Sequence, residues 1–370
     1  MEEDKISRTQ LMALMWAGIL APVAELLPAL LLPGAGRGAW LAAALAAPVV
    51  LAAGWVMGSL AGREGLARGV RALLGRWLGG AVLLIYIVWG LLLLSLRLRL
   101  CAQRLFASGE RDGAWWVFLL AAAAAVLWMG RGQLAAFART GQLFLAALLA
   151  TAGVVLLLSL FQGRPERLLP LWWEDARPVI QASLSAAGVM GWGLFLPFLM
   201  GSVRDQGENK NWHWLFWGLG GTLLLAVSQA VILANLGAGL AGRLENPFFA
   251  LAKSVGVEGA FQRVEGVVTA LWTFADLVMG GILVFALRAV TAELISPKRL
   301  GWVPWVAVLL SATGAVLLFP TLGAGEEWNR RLVPMGNLIL GLVLPAALLL
   351  IKKLIQSKER YGTSCGDNLK

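Results

Sequence analysis

The sequence predicts an all-α polytopic membrane protein of about ten transmembrane helices, built as two inverted repeats of five. Three observations carry that expectation. The 370 residues are 59% hydrophobic and only 14% charged, against about 25% charged in a soluble domain. The apolar residues fall in runs near the ~20 residues a helix needs to cross the hydrocarbon core. Two of those runs, five apart, carry Gly and Pro in their middles, where these residues are the most costly of all in a helix. Residues 1–370 therefore read as a single transmembrane domain. Repeat one is about 9–161, repeat two about 180–354, and 355–370 form a cytoplasmic tail.

The segments follow in order. The start MEEDKISRTQ is acidic and polar, unlike a cleavable signal peptide, so the first span is expected to stay in the mature chain. That span, 9–32, carries Gly18, Pro22, Glu25 and Pro28. The second is 39–60. The stretch after it, GREGLARGVRALLGRW, sets Arg63, Arg68, Arg71 and Arg76 among leucines and a valine. That pattern fits a short helix lying on the cytoplasmic leaflet, or a docking surface. The third span, 79–104, ends on Arg97, Arg99 and Arg104, which near a helix end read as snorkelling to the headgroups. The fourth, 114–130, is the shortest, and the fifth is 137–161. The sixth, 180–201, is the second interrupted one, with Gly188, Gly191, Gly193 and Pro197. The seventh, 213–237, opens on the lone His213, read as an interface residue. The eighth, ninth and tenth are 265–290, 302–320 and 334–354.

Charge sets the orientation. With the N-terminus inside, the cytoplasmic segments carry 18 of the 31 lysines and arginines, so both termini are expected in the cytoplasm. The net charge of +10 then reads as orientation and contact with anionic lipid, and no nucleic-acid partner is expected. Many of the 18 tryptophans fall at span ends, among them Trp40, Trp77, Trp115, Trp116, Trp128, Trp172, Trp173, Trp212, Trp302, Trp305 and Trp328. An indole is apolar with one N–H donor and suits the headgroup level. The two cysteines, Cys101 in a span and Cys365 in the tail, give no disulfide framework.

Two carboxylates lie deep in the spans, Glu25 and Asp276. Each costs roughly 2.5–3.5 kcal/mol at mid-bilayer on insertion scales, so each needs a partner or a role. Thr269, Thr273 and Asp276 share one helical face, which Glu265 begins, and that face should look into the bundle. Interrupted helices in two inverted repeats place unwound backbone at a midplane site, where half-helix N-termini meet an anionic group. Glu25, Thr273 and Asp276 are the candidates for ion or proton coupling. Metal-ligand clusters, phosphate-binding loops and nucleophile–base spacings are missing from the sequence, so neither enzymatic activity nor a cofactor is expected.

Several segments resemble the spore-germination permease family, the B subunits of GerA-type nutrient germinant receptors, within the amino acid–polyamine–organocation superfamily. They are DKISRTQ before a Pro-bearing span, FQRVEGVVTALWTFADL opening the eighth, WVPWVAVLLSATGAVLLFP as the ninth and GNLILGLVLPAALLLIKKL as the tenth. The resemblance runs from about residue 4 to 356. It implies a leucine-transporter-like fold with broken helices 1 and 6 and a ligand between spans 1, 3, 6 and 8. It also implies a nutrient ligand, usually an amino acid, and A and C partner subunits in the spore inner membrane. Carried onto this chain, the ligand-facing residues are Gly18, Pro22, Glu25, Gly188, Gly191 and Trp192, and the eighth-span motif stands as Arg263, Glu265 and Trp272. Two departures stand out. GWGLFLPF lacks the acidic residue expected after the family's glycine, and the fifth span lacks the lysine that proton-coupled relatives use. The resemblance favours a germinant sensor. The alternative is a proton- or sodium-coupled amino acid transporter.

Overall fold

The computed structural model describes residues 4–108, 114–169, 171–204, 212–244, 246–254, 264–295 and 300–366. Arg263 of the eighth-span motif lies outside them, as do Lys210, Lys298 and Arg299, three of the 18 basic residues counted on the cytoplasmic side. Thirteen α-helices run in order along the described chain. They are α1 (Arg8–Ala35), α2 (Ala39–Leu45), α3 (Ala47–Ala61), α4 (Leu66–Ser108), α5 (Trp115–Arg131), α6 (Leu134–Gln162) and α7 (Ala176–Met190). After α7 come a 3₁₀ stretch (Gly191–Ser202), α8 (Trp212–Ala241), α9 (Pro247–Ser254), α10 (Val264–Leu294), α11 (Val303–Leu317) and α12 (Leu322–Leu338). A π turn (Ile339–Val343) joins α12 to α13 (Leu344–Gly366). Among the described residues, seven helical stretches are long and apolar enough to cross a membrane, the first of them, Arg8–Ala61, spanning 54 residues and two expected segments. Trp115–Arg131 and Val303–Leu317 are shorter apolar helices.

α1 is the central helix, buried from Leu11 to Leu32 on nearly every side, and it packs against α6, α7, α8 and α10. Its start is fixed by a capping box: Ser7 Oγ accepts from Gln10 N–H at 3.1 Å, and Gln10 Oε1 accepts from Ser7 N–H at 2.8 Å. The chain before it pairs Ile6 with Val203, tying the entry of α1 to the exit of the 3₁₀ stretch.

The break expected in the first span is not there. α1 is continuous, with Pro22, Pro28 and Pro33 inside it. Each proline withdraws one N–H, but without water a true break would strand several backbone groups at once, so the helix is kept. The sixth segment does change its winding. At Gly191 the α-helix tightens to 3₁₀ and stays so for 12 residues, with Pro197 inside, far longer than the usual three or four.

The short basic helix is present as residues 66–74. It ends at Gly75, whose φ of +75° suits glycine, and α4 then doubles back so that Gly79 lies under Arg71.

A polar clip joins α4, α7 and α12. Trp89 Nε1 donates to Asn337 Oδ1 at 3.0 Å, and Asn337 Nδ2 donates to the Gly188 carbonyl at 3.1 Å. One turn further on, Tyr86 donates to the Leu340 carbonyl at 2.6 Å, inside the π turn. That turn precedes Pro345, which has no N–H to return to the Gly341 carbonyl. Gly188 makes the clip possible, because a Cβ there would lie 2.3 Å from the Pro334 carbonyl oxygen. Gly188→Ala should therefore push α7 from α12 and lower the thermal midpoint of the detergent-solubilised chain, at a cost of about 1–3 kcal/mol. An unchanged midpoint would show that the two backbones do not meet.

Candidate functional site

Arg97, Cys101 and Arg104 are spaced by four and three, so they share one face of α4. That face looks at α1 and α10. Arg97 Nη1 donates to Asp276 Oδ1 at 3.1 Å. Arg104 bridges two helices, donating through Nη1 to Asp276 Oδ2 and through Nη2 to Glu25 Oε2. Asn246 Nδ2 completes Glu25 from above, at 3.2 Å from Oε1, while Asn246 Oδ1 accepts from Phe249 N–H and so caps α9. Two cations and two anions form a neutral network. Asp276 and Arg97 are buried, and Glu25, with 26% of its side chain exposed, is its accessible edge.

The arginines were expected to snorkel, and they do not. Arg97 and Arg99 are 3% and 2% exposed. Arg97 and Arg104 turn inward because α1 and α10 offer carboxylates, and in the bilayer a paired guanidinium inside the bundle is far cheaper than a lone acid. Arg97 also lies over the Trp192 ring, 4.0 Å from its centroid.

The network is rich in donors. Arg97 Nε, Arg104 Nε, Trp192 Nε1 and Trp272 Nε1 are all buried without a hydrogen-bond partner. Trp272, one turn before Asp276 on α10, stacks on Phe248 of α9 at 4.9 Å. These groups bound the place where α1, α4, α10 and the 3₁₀ stretch converge.

Of the residues expected to face a ligand, Glu25 and Trp192 lie at this network. Pro22 is buried within α1. Gly18 packs on Met279 and Ile282 of α10, and Gly188 and Gly191 pack on Pro334 and Asn337 of α12. These three glycines serve close helix approach. The two segments expected face to face do meet, since a Cβ on Gly193 would lie 3.2 Å from Ile19 Cδ1. Asp276 faces the bundle as expected. Thr273 shares its face, but its hydroxyl donates to the Thr269 carbonyl of its own helix at 2.9 Å. A separate apolar cavity of about 50 Å³ lies between α3, the 3₁₀ stretch, α8 and the π turn, with Gly191, Trp214 and Trp217 in its wall. It is far smaller than the roughly 300 Å³ and upward of ligand pockets. Most span-end tryptophans are exposed, Trp77 and Trp173 the most, whereas Trp115 packs under Arg99 and Trp328 against Phe319.

The sequence reading missed Arg97, Arg104 and Asn246. A signal existed for the arginines: two intramembrane acids call for two cations, and a spacing of seven on one span supplies them on one face.

A bundle of apolar helices around a buried ion network is an integral membrane protein of transporter-like construction, and the comparisons agree. The chain belongs to the spore germination protein family, whose model matches residues 5–321. No curated protein matches the sequence. Among solved structures, the chain is similar to MhsT in complex with L-phenylalanine. The TM-score is 0.64 and the identity 13%, over 91% of this chain and 88% of that one. It is also similar to a mutant manganese transporter of Eremococcus coleocola. There the TM-score is 0.53 and the identity 14%, over 92% and 77% of the two chains. These likenesses show the leucine-transporter fold. Family and fold are those of a permease and not of an enzyme, and they make the chain a transporter-like or germinant-sensing membrane protein.

The network predicts an unequal pair of variants. Asp276→Asn leaves two buried guanidinium groups short of their shared partner and should cost about 3–5 kcal/mol. Glu25→Gln, at the accessible edge, should cost much less. Thermal midpoints in one detergent check this. Equal losses would mean that the network does not depend on Asp276.

Proposed function

We propose that this protein is the nutrient-sensing subunit of a spore germination receptor. It binds its germinant, an amino acid, at the buried network and passes a bundle rearrangement to A and C partner subunits. Its place is the spore inner membrane, with both termini cytoplasmic, and its frame is one transmembrane domain of two five-span repeats, about 9–161 and 180–354.

The observation that carries this reading is the surplus of buried donors around a network already neutral in charge. A ligand carboxylate supplies the acceptor those donors lack. Its ammonium would compete with Arg104 for Glu25, the accessible carboxylate. Arg104 would then hold Asp276 alone, and α1 would no longer be tied through it to α10. A ligand that binds this loosened arrangement better than the closed one shifts the population, which suffices as a signal.

Fold alone would equally allow a coupled transporter. The family match favours the sensor, because the model that covers residues 5–321 is that of a spore germination protein.

The test uses proteoliposomes, a pool of labelled L-amino acids, and imposed proton and sodium gradients. Saturable label that survives permeabilising the bilayer is the expected result, and Glu25→Gln should weaken its binding about tenfold or more. Label that is lost on permeabilising would make the chain a transporter. Binding unchanged in Glu25→Gln would remove the network from the ligand site.

A further inference from the structure

The basic helix that opens α4, residues 66–74, ends in an elbow. At Gly75 the chain turns back, and a Cβ on Gly79 would lie 3.0 Å from Arg71 Cα. The elbow is firmly seated. Leu66, Ala67 and Val70 are buried, Gly69 lies against the Leu60 carbonyl of α3, and a Cβ on Gly65 would lie 3.1 Å from the Phe198 carbonyl oxygen of the 3₁₀ stretch. The helix is thus held by the bundle, and what it offers outward is fixed in place.

The outward side has a charged half and an apolar half. Arg68 is met within the chain, by Glu64 at 3.1 Å and Glu293 at 3.4 Å. Arg71 is partly exposed and Arg76 exposed, and both belong to the turn itself. The apolar half starts at the next residue. Trp77 and Leu78 are 86% and 67% exposed, and Leu84, Ile85 and Val88 continue the exposed face at helical spacing. The stretch Leu66–Phe106 is long and apolar enough to cross a membrane, so this face meets hydrocarbon and Trp77 stands at the headgroup level.

Two guanidinium groups at the head of an exposed apolar track have the shape of an amphiphile's complement. Guanidinium groups bind phosphate oxygens through paired N–H donors, and basic residues beside a membrane favour lipids of net negative charge. A zwitterionic lipid offers the same chains, but its own cation offsets the attraction.

We infer that the elbow at Gly75 is a binding site for an anionic phospholipid, with Arg71 and Arg76 on the headgroup and the face from Trp77 to Val88 along an acyl chain. These groups lie at the surface, so a lipid reaches them from the bilayer without movement of the bundle. The site is about 30 Å along α4 from Arg97 and does not rest on the germinant reading above.

The experiment takes the full chain in dodecyl maltoside. Its thermal midpoint is followed while dioctanoyl phosphatidylglycerol or dioctanoyl phosphatidylcholine is titrated in at constant ionic strength. The two lipids share their chains and differ in net charge. Wild type should show a saturable rise with phosphatidylglycerol, half-complete at about tenfold lower concentration than with phosphatidylcholine. In Arg71→Gln/Arg76→Gln that preference should vanish. Trp77→Ala should raise the half-saturation of both lipids. Arg330→Gln/Arg331→Gln, an exposed pair on α12, should leave the preference intact. Equal half-saturation of the two lipids in wild type, a preference that survives Arg71→Gln/Arg76→Gln, or the same loss in Arg330→Gln/Arg331→Gln overturns the site. Half-saturation unchanged in Trp77→Ala overturns the acyl-chain track. No rise with either lipid overturns the site and gives the basic elbow to an acidic protein surface. Should the double variant not fold, Arg76→Gln alone is held to the same outcomes.

Discussion

Charge pairing across three helices is the constraint on which the centre of this molecule depends. Arg104 reaches Glu25 on α1 and Asp276 on α10 from α4, and Arg97 shares Asp276. Any one of these groups alone in the bilayer core would cost roughly 2.5–3.5 kcal/mol on insertion scales. Together they are neutral, and their positions become mutually fixed. A buried ion network is weak evidence of net stability, since apolar residues of the same volume often do as well. What it specifies is register. α1, α4 and α10 each have one rotation and one height at which the four groups meet.

α4 carries the second polar connection as well. Near its middle, Tyr86 and Trp89 hold the π turn and Asn337, and through Asn337 the Gly188 carbonyl of α7. The two connections differ in kind. The clip is made of neutral groups, each satisfied by a backbone or amide partner, on backbones packed too closely for a Cβ. The network is made of charges with donors left over. A rearrangement that frees α1 from α4 at the network would leave α4, α7 and α12 joined at the clip. The clip is thus the fixed part against which α1 could move.

Much of the helical layout was legible in the sequence because the bilayer supplies a ruler. Every expected span falls on helix, and the short basic helix was readable from arginines set among leucines, although its stop at Gly75 was not. The first interrupted span was misread because the cost of proline in a helix was taken without its setting. Where no water can take up freed backbone groups, three missing bonds in α1 are tolerated more easily than one open break. The glycines of the sixth segment have a packing role that the sequence did not show. Gly188 and Gly191 permit contact with α12, a partner about 150 residues away that no local pattern reveals. The candidate site was half legible. Glu25 and Asp276 stand out as charges in apolar runs, but their partners are 79 and 172 residues distant from them, and snorkelling is an argument about one helix considered alone.

The same reasoning separates the three arginines of α4 more sharply than composition does. Among the described residues Arg97 and Arg104 are each paired with a carboxylate, whereas Arg99 lies over the Trp115 ring. The central network needs no outside charge, only an acceptor for its spare N–H groups.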